Sequence, residues 1–134
     1  MIELHLEGRP IHKMRHRTTK NGHIYDPQVE LVNWTKWEIK SQYRDWPLDA
    51  TPLKVEFSFM FEPPISWSKK RKDEAINLAM DVLVKPDLSN LVKFYEDCMN
   101  GLIYTDDAQI VDLSARKVYA QESGTIIIVE KKFI

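Results

Sequence analysis

The chain has 134 residues, 43% hydrophobic and 29% charged, with four glycines and one cysteine. That suits one globular domain over residues 1–134 and excludes disordered, collagen-like and disulfide-scaffold classes. The formal charge of −1 hides a division: residues 1–25 carry Arg9, Lys13, Arg15, Arg17 and Lys20 against Glu3 and Glu7, whereas residues 81–112 are strongly acidic. Local fields attract partners, so a polyanion and a divalent cation both stay open.

Ile2, Leu4 and Leu6 alternate with Glu3, His5 and Glu7, the period-2 pattern of a strand with one buried face, and Gly8-Arg9-Pro10 ends it. The basic segment that follows reads as a loop. Tyr25-Asp26-Pro27 predicts a helix start, with Asp26 capping free N–H groups, and the helix runs to about Tyr43. Leu53, Val55, Phe57, Phe59 and Phe61 alternate with polar neighbours in the clearest strand of the chain, stopped by Pro63-Pro64. Lys69-Lys70-Arg71-Lys72 opens a second helix whose Ile76, Ala79, Met80 and Leu83 follow helical spacing. A third helix starts after Pro86, with Leu88, Leu91, Val92, Tyr95, Cys98 and Met99 on one stripe and Asn100-Gly101 as its end. Two strands, about Gln109 to Ala120 and Thr125 to Lys131, close a β-α-β-α-α-β-β order. The fold class is α+β, a mixed sheet with helices packed on it.

Cys98 is alone, so it reads as a buried core thiol rather than a nucleophile, and a reducing compartment is expected. Residues 1–6 lack a signal-peptide pattern and no apolar run approaches a membrane span, so a soluble cytoplasmic protein without membrane contact is the expectation. His5, His12, His16 and His23 lack zinc-ligand spacing, although His12 or His16 suits a phosphate. Tyr25, Trp34, Trp37 and Trp67 offer stacking surfaces for bases, but with a core to fill they are expected to be packing residues.

Around the third helix, Asn90, Lys93 and Asp97 share a polar face and Asp87 stands at its N-terminus, where a carboxylate is favoured. Asp87 reads either as a plain cap or as a ligand. Asp106-Asp107 reads either as a polar turn or as a pair of repelling carboxylates that a divalent cation would neutralise. Mg²⁺ takes one or two carboxylates plus waters and phosphate oxygens, so Asp87 with this pair would suffice, and Lys93 would offset charge on a phosphate. The chemistry suggested is metal-assisted phosphodiester hydrolysis.

Lys85-Pro86-Asp87-Leu88-Ser89-Asn90-Leu91-Val92-Lys93, then Asp97, Asn100-Gly101, Tyr104, Asp106-Asp107 and Gln109-Ile110, resemble the signature of the RusA-family Holliday junction resolvases. Gly8-Arg9-Pro10 with Lys13, Arg15 and Arg17, and Pro64-Ile65-Ser66-Trp67-Ser68-Lys69-Lys70, are similar to further family elements. The resemblance implies a homodimeric, Mg²⁺-dependent endodeoxyribonuclease, with Mn²⁺ as a substitute and no organic cofactor. Such an enzyme makes paired nicks in four-way DNA junctions during recombination and repair, as bacterial and prophage members do. It assigns catalysis to Asp87, Lys93 and Asp107, with the metal site expected at Asp87, Asp107, Ser89 and Asp106. Lys13, Arg15 and Arg17 alternate along an extended segment and so present their charges on one side, and with Lys69, Lys70 and Asn90 they are expected to contact DNA.

One functional position departs from that pattern. The family's second Asp falls on Ser89, so the metal site loses one full charge and a strong ligand, with Asp106 or water as the available replacement. Two outcomes follow: a nuclease with an altered metal site, or a branched-DNA-binding protein that no longer cuts. Cutting two strands symmetrically from one metal centre per chain also calls for two subunits.

Overall fold

The computed structural model describes residues 1–15 and 17–133, with the side chains of Arg17 and Tyr25 outside that description; His16 therefore lies outside the described residues. The elements are β1 (Ile2–Glu7), β2 (Arg17–Thr18), β3 (Ile24–Tyr25), α1 (Val29–Gln42), β4 (Leu53–Phe61), α2 (Lys69–Asn77) and α3 (Leu88–Met99). A 3₁₀ turn at Asp107–Gln109, β5 (Ile110–Tyr119) and β6 (Gly124–Lys131) complete the chain. The main sheet has the order β1-β6-β4-β5, antiparallel except for the parallel β4–β5 pair.

β4 is central because its alternation is complete. Leu53, Val55, Phe57, Phe59 and Phe61 are all buried while the intervening residues are half-buried, so one face carries the core and the other stays wet. α3 lies over that core with Leu91, Val92, Phe94, Tyr95, Cys98 and Met99 buried. Tyr95 packs 5.7 Å from the Phe59 ring, centroid to centroid. A parallel β4–β5 pair requires a crossover, and here it contains α2 and α3. No described helix is long and apolar enough to cross a membrane.

Four local expectations are corrected. The basic segment is not only loop: Arg17–Thr18 and Ile24–Tyr25 pair as a short antiparallel hairpin. α1 begins at Val29 rather than at Pro27, although Asp26 Oδ1 does accept the Gln28 N–H at 2.8 Å. Its buried side chains are Thr35 and Ile39, whereas Trp34 and Trp37 are 60% and 62% exposed and stack on each other at 5.3 Å. Those two rings are therefore not core, whereas Trp67, half-buried against Tyr119, behaves as a packing residue; the Tyr25 side chain lies outside the described residues.

α2 stops at Asn77, so Ala79, Met80 and Leu83 do not extend its apolar face. The Met80 N–H bonds to the Ala75 carbonyl and the Ala79 N–H to the Ile76 carbonyl, the closing pattern of a helix whose next residue turns left-handed. Ala79 adopts that conformation at φ 45° without the glycine that normally announces it. On α3, by contrast, Gly101 takes the expected positive φ of 81° beyond the helix end.

Candidate active site

α3 divides the predicted residues between two cavities. At about 100° per residue, measured from Asp87, Ser89 lies near 200°, Lys93 near 240° and Glu96 near 180°, whereas Asn90 lies near 300°. Ser89, Lys93, Glu96, Asp97 and Asp107 line one cavity of about 690 Å³, walled on the apolar side by α3 and by Leu113 and Ala115 of β5; Asp97, near 280°, joins them although its angle is close to that of Asn90. Asp87 and Asn90 line a second cavity of about 440 Å³ together with Arg9, His12, Lys85 and Pro86. The shared face expected for Asn90, Lys93 and Asp97 is thus split, with Asn90 on the far side of the helix start.

Asp87 occupies the N-cap position of α3, yet its side chain makes no capping hydrogen bond. The Lys85 ammonium donates to Asp87 Oδ1 at 2.7 Å instead. That hydrogen bond and charge hold the Asp87 carboxyl below the ordinary carboxylate range, with smaller contributions from Lys117 and His12. A solvent-accessible carboxylate that is fully ionised and not consumed by capping remains open to a ligand.

The Asp106-Asp107 turn separates two roles. Asp106 Oδ1 accepts the Ala108 N–H at 2.9 Å, and Gln109 Oε1 accepts the Asp106 N–H at 3.1 Å, a reciprocal capping box on the 3₁₀ turn. The Gln109 amide also donates to the Leu48 and Thr51 carbonyls at 3.1 and 3.2 Å, tying the turn to the start of β4. Asp106 is therefore a capping residue that does not line the cavity, and Asp107 is the carboxylate delivered into it. Desolvation, then the Asp106 hydrogen bond and charge, push the Asp107 carboxyl up, while Asn100 partly offsets this. Glu96 is likewise raised, by desolvation first and then by Asp107 and Asp97.

These raised carboxyls destabilise the fold once ionised. For a group raised in the folded state, its stabilising contribution is complete below the unfolded pKa and is lost as pH rises through the folded value. Asp107→Asn is therefore expected to stabilise the fold slightly at pH 7, by less than about 1 kcal/mol, and to leave the melting temperature unchanged below pH ~4. Thermal unfolding at the two pH values checks this.

The donor set suits a hard cation. Carboxylate and hydroxyl oxygens line the larger cavity without Cys or His. Among the described residues no three His, Cys, Asp or Glu side chains converge as ligands of one metal ion. A closed protein cage of the zinc type does not fit, whereas Mg²⁺ or Mn²⁺ held by one or two carboxylates, with water and phosphate oxygens, does. The repulsion felt by Asp107 and Glu96 is what such a cation would relieve.

The basic arm is arranged differently from its alternating sequence. The Lys13 ammonium pairs with Asp97 across the α3 surface, so Lys13 does not point outward with Arg15, which is exposed; the Arg17 side chain lies outside the described residues. Lys69 and Lys70 are exposed on the first turn of α2, after Ser68 Oγ accepts the Arg71 N–H at 3.2 Å. Cations at a helix N-terminus are disfavoured by its dipole, so stability does not account for them. Cys98 is buried, and desolvation pushes its thiol up to about 12, in keeping with an inert core cysteine.

Lys117 is a site residue that the sequence reading did not find. From β5 its ammonium donates to the Val84 and Pro86 carbonyls at 2.8 and 2.9 Å, pinning the segment that presents Lys85 and Asp87. Its signal was only a half-buried Lys within an apolar strand. Lys117→Met leaves two carbonyls without this partner and is expected to cost about 1–3 kcal/mol of stability, measured by urea unfolding.

The fold is that of a small α+β protein with a lysine and carboxylates lining one cavity beside a basic arm, a donor set suited to a phosphate and a hard cation. The family model described as endodeoxyribonuclease RusA matches residues 7–130, and the chain belongs to the RusA endodeoxyribonuclease family. It is also similar to an uncharacterized protein, YqaN, of Bacillus subtilis (strain 168), 30% identical over 136 residues that cover 97% of this chain and 96% of that protein.

Proposed function

We propose that this protein is a divalent-metal-dependent, structure-selective endodeoxyribonuclease that resolves four-way DNA junctions as a homodimer. The observation that carries this reading is the placement of Lys93 and Asp107 in one cavity with Ser89, Glu96 and Asp97, within a chain of a nuclease family. A divalent cation, when bound, activates water and offsets phosphate charge. Asp107 is the carboxylate of that cavity proposed to hold it, and Asp87, which lines the second cavity across the start of α3, is the further ligand that the family resemblance implies.

Lys93 supplies the fixed positive charge on the protein side, where negative charge builds on the phosphate oxygens and on the departing ester oxygen. Hydrolysis forms one bond from water oxygen to phosphorus and breaks one P–O ester bond, and the leaving oxygen takes up a proton. Exposed Arg15, Lys69 and Lys70 are proposed backbone contacts, as is Arg17, two residues beyond Arg15 in the sequence; Lys13 acts chiefly by tying the arm to Asp97.

Ser89 supports a second reading, a junction-binding protein that does not cut, because a hydroxyl stands where the family places a carboxylate. Incubation of a synthetic four-way junction with the protein in Mg²⁺ or Mn²⁺ distinguishes them. Paired, metal-dependent nicks are expected from the wild type. Binding without nicks in either metal, together with cleavage by Ser89→Asp, would establish the non-cutting reading instead. Light scattering at micromolar concentration is expected to give a dimer.

A further inference from the structure

The smaller cavity brings together cationic and polar groups from three separate segments: Arg9 and His12 of the arm, Lys85 of the loop before α3, and Asn90 of its first turn. Its volume of about 440 Å³ lies in the range of small-ligand sites. The one carboxylate on its wall, Asp87, is already paired with Lys85, which leaves the Arg9 charge without an anionic partner among the lining residues. The first turn of α3 also lacks a side-chain cap, so its free N–H groups add to the positive character of this wall.

The walls are fixed by one cation–π contact and by hydrogen bonds made mostly through the backbone. Gly8, at φ 89°, turns the chain out of β1, and the Arg9 guanidinium sits 5.3 Å over the Phe61 ring. Beyond it, the Ile11 N–H donates to the Tyr95 hydroxyl at 3.0 Å and the Lys13 N–H to the Asn90 carbonyl at 2.9 Å. Buried Gln28 clamps the same stretch, accepting from the Met14 N–H at 2.9 Å and donating to the His12 carbonyl at 2.8 Å. Lys117 holds the opposite wall through the Val84 and Pro86 carbonyls. Such pre-ordering lowers the entropy cost of binding, and no stability argument requires it to surround an opening lined with cations.

We infer that this cavity is a subsite for one phosphodiester of the DNA backbone, held by Arg9, His12, Lys85 and Asn90 beside Asp87. The inference rests on the nuclease reading and deepens it by separating two parts of the arm. Residues 11–14 fasten the arm to α3, and Arg9 and His12 do the binding.

Junction affinity measured by fluorescence anisotropy in EDTA, between about 50 and 200 mM salt, tests the subsite without cleavage. One phosphate lost per protomer lowers the slope of log affinity against log salt by about 0.9. The double variant Arg9→Ala/Lys85→Ala is therefore expected to lose about 0.9 per protomer, and neither single variant more than that. An unchanged slope in the double variant, or a loss near twice that value, would overturn a shared single-phosphate site.

A second measurement is independent of junction binding. Titration with inorganic phosphate is expected to move the His12 ring resonances in the wild type and not in Arg9→Ala; no movement in the wild type overturns the subsite. A wild type that fails to bind junctions while His12 responds to phosphate would instead overturn the nuclease reading and, with it, DNA as the source of the phosphate held in this cavity.

Discussion

Replacing Lys93 with methionine is expected to slow four-way-junction cleavage by about 10²–10³-fold, the usual cost of removing one preorganised charge-stabilising group, while junction affinity changes only a few-fold. Lys93 stands on the exposed face of α3 and makes no salt bridge among the described residues. Methionine keeps much of its apolar stem, so folding stability should move by less than about 0.5 kcal/mol. The loss would then belong to the reaction and not to the fold.

A separate readout follows from the surrounding charge. The Lys93 ammonium lowers the Glu96 carboxyl against the larger upward push of desolvation, Asp107 and Asp97. Its removal should move Glu96 further up, visible as a displaced carboxyl titration by NMR. Unaltered cleavage in Lys93→Met, with the Glu96 titration displaced as expected, would place Lys93 near the site but outside the chemistry.

How much of this was legible in the sequence depends on whether the determining interactions are local. β4 and α3 were legible because each carries a single dominant period and buries the face that period defines. The end of α2 was not, because Ala79 supplies a left-handed turn that sequence reading reserves for Gly or Asn. α1 inverted the expectation for its tryptophans because Thr35 and Ile39 take the inward positions, and hydrophobicity alone ranks Trp above Thr.

The site shows the same division. Helical spacing already separated Asp87 from Ser89, Lys93 and Glu96 by well over a right angle, but it put Asn90 within about 20° of Asp97, so only the separation of Asp87 was present in the arithmetic. What was not present was the arm. Lys13 reaches Asp97 and Ile11 reaches Tyr95 across 84 residues of sequence, and those contacts turn an apparent row of DNA-facing cations into a clamp plus a few free charges. The capping duty of Asp106, expected as a replacement metal ligand, was likewise hidden. Adjacent aspartates look alike in sequence, and only the 3₁₀ turn decides which one caps and which one faces the cavity.

Ser89→Asp is expected to lower the Mg²⁺ concentration needed for half-maximal cleavage by about tenfold or more, equivalent to about 1.4 kcal/mol of cation binding. Ser89 lies in the first turn of α3 and lines the cavity with Asp107, Glu96 and Asp97. A carboxylate there gains from the helix N-terminus but is opposed by those neighbours, whose charges add to the desolvation that raises Glu96 and Asp107. In EDTA the two effects oppose each other, and the melting temperature should move little. In Mg²⁺ the cation removes the repulsion, so the variant should be stabilised by the metal more than the wild type is. Ser89→Asn is the necessary control, since it adds an oxygen ligand without a charge and should leave the metal requirement close to that of the wild type. If Ser89→Asp and Ser89→Asn behave alike in both cleavage and metal-induced stabilisation, the missing charge is not what sets cation affinity in this chain.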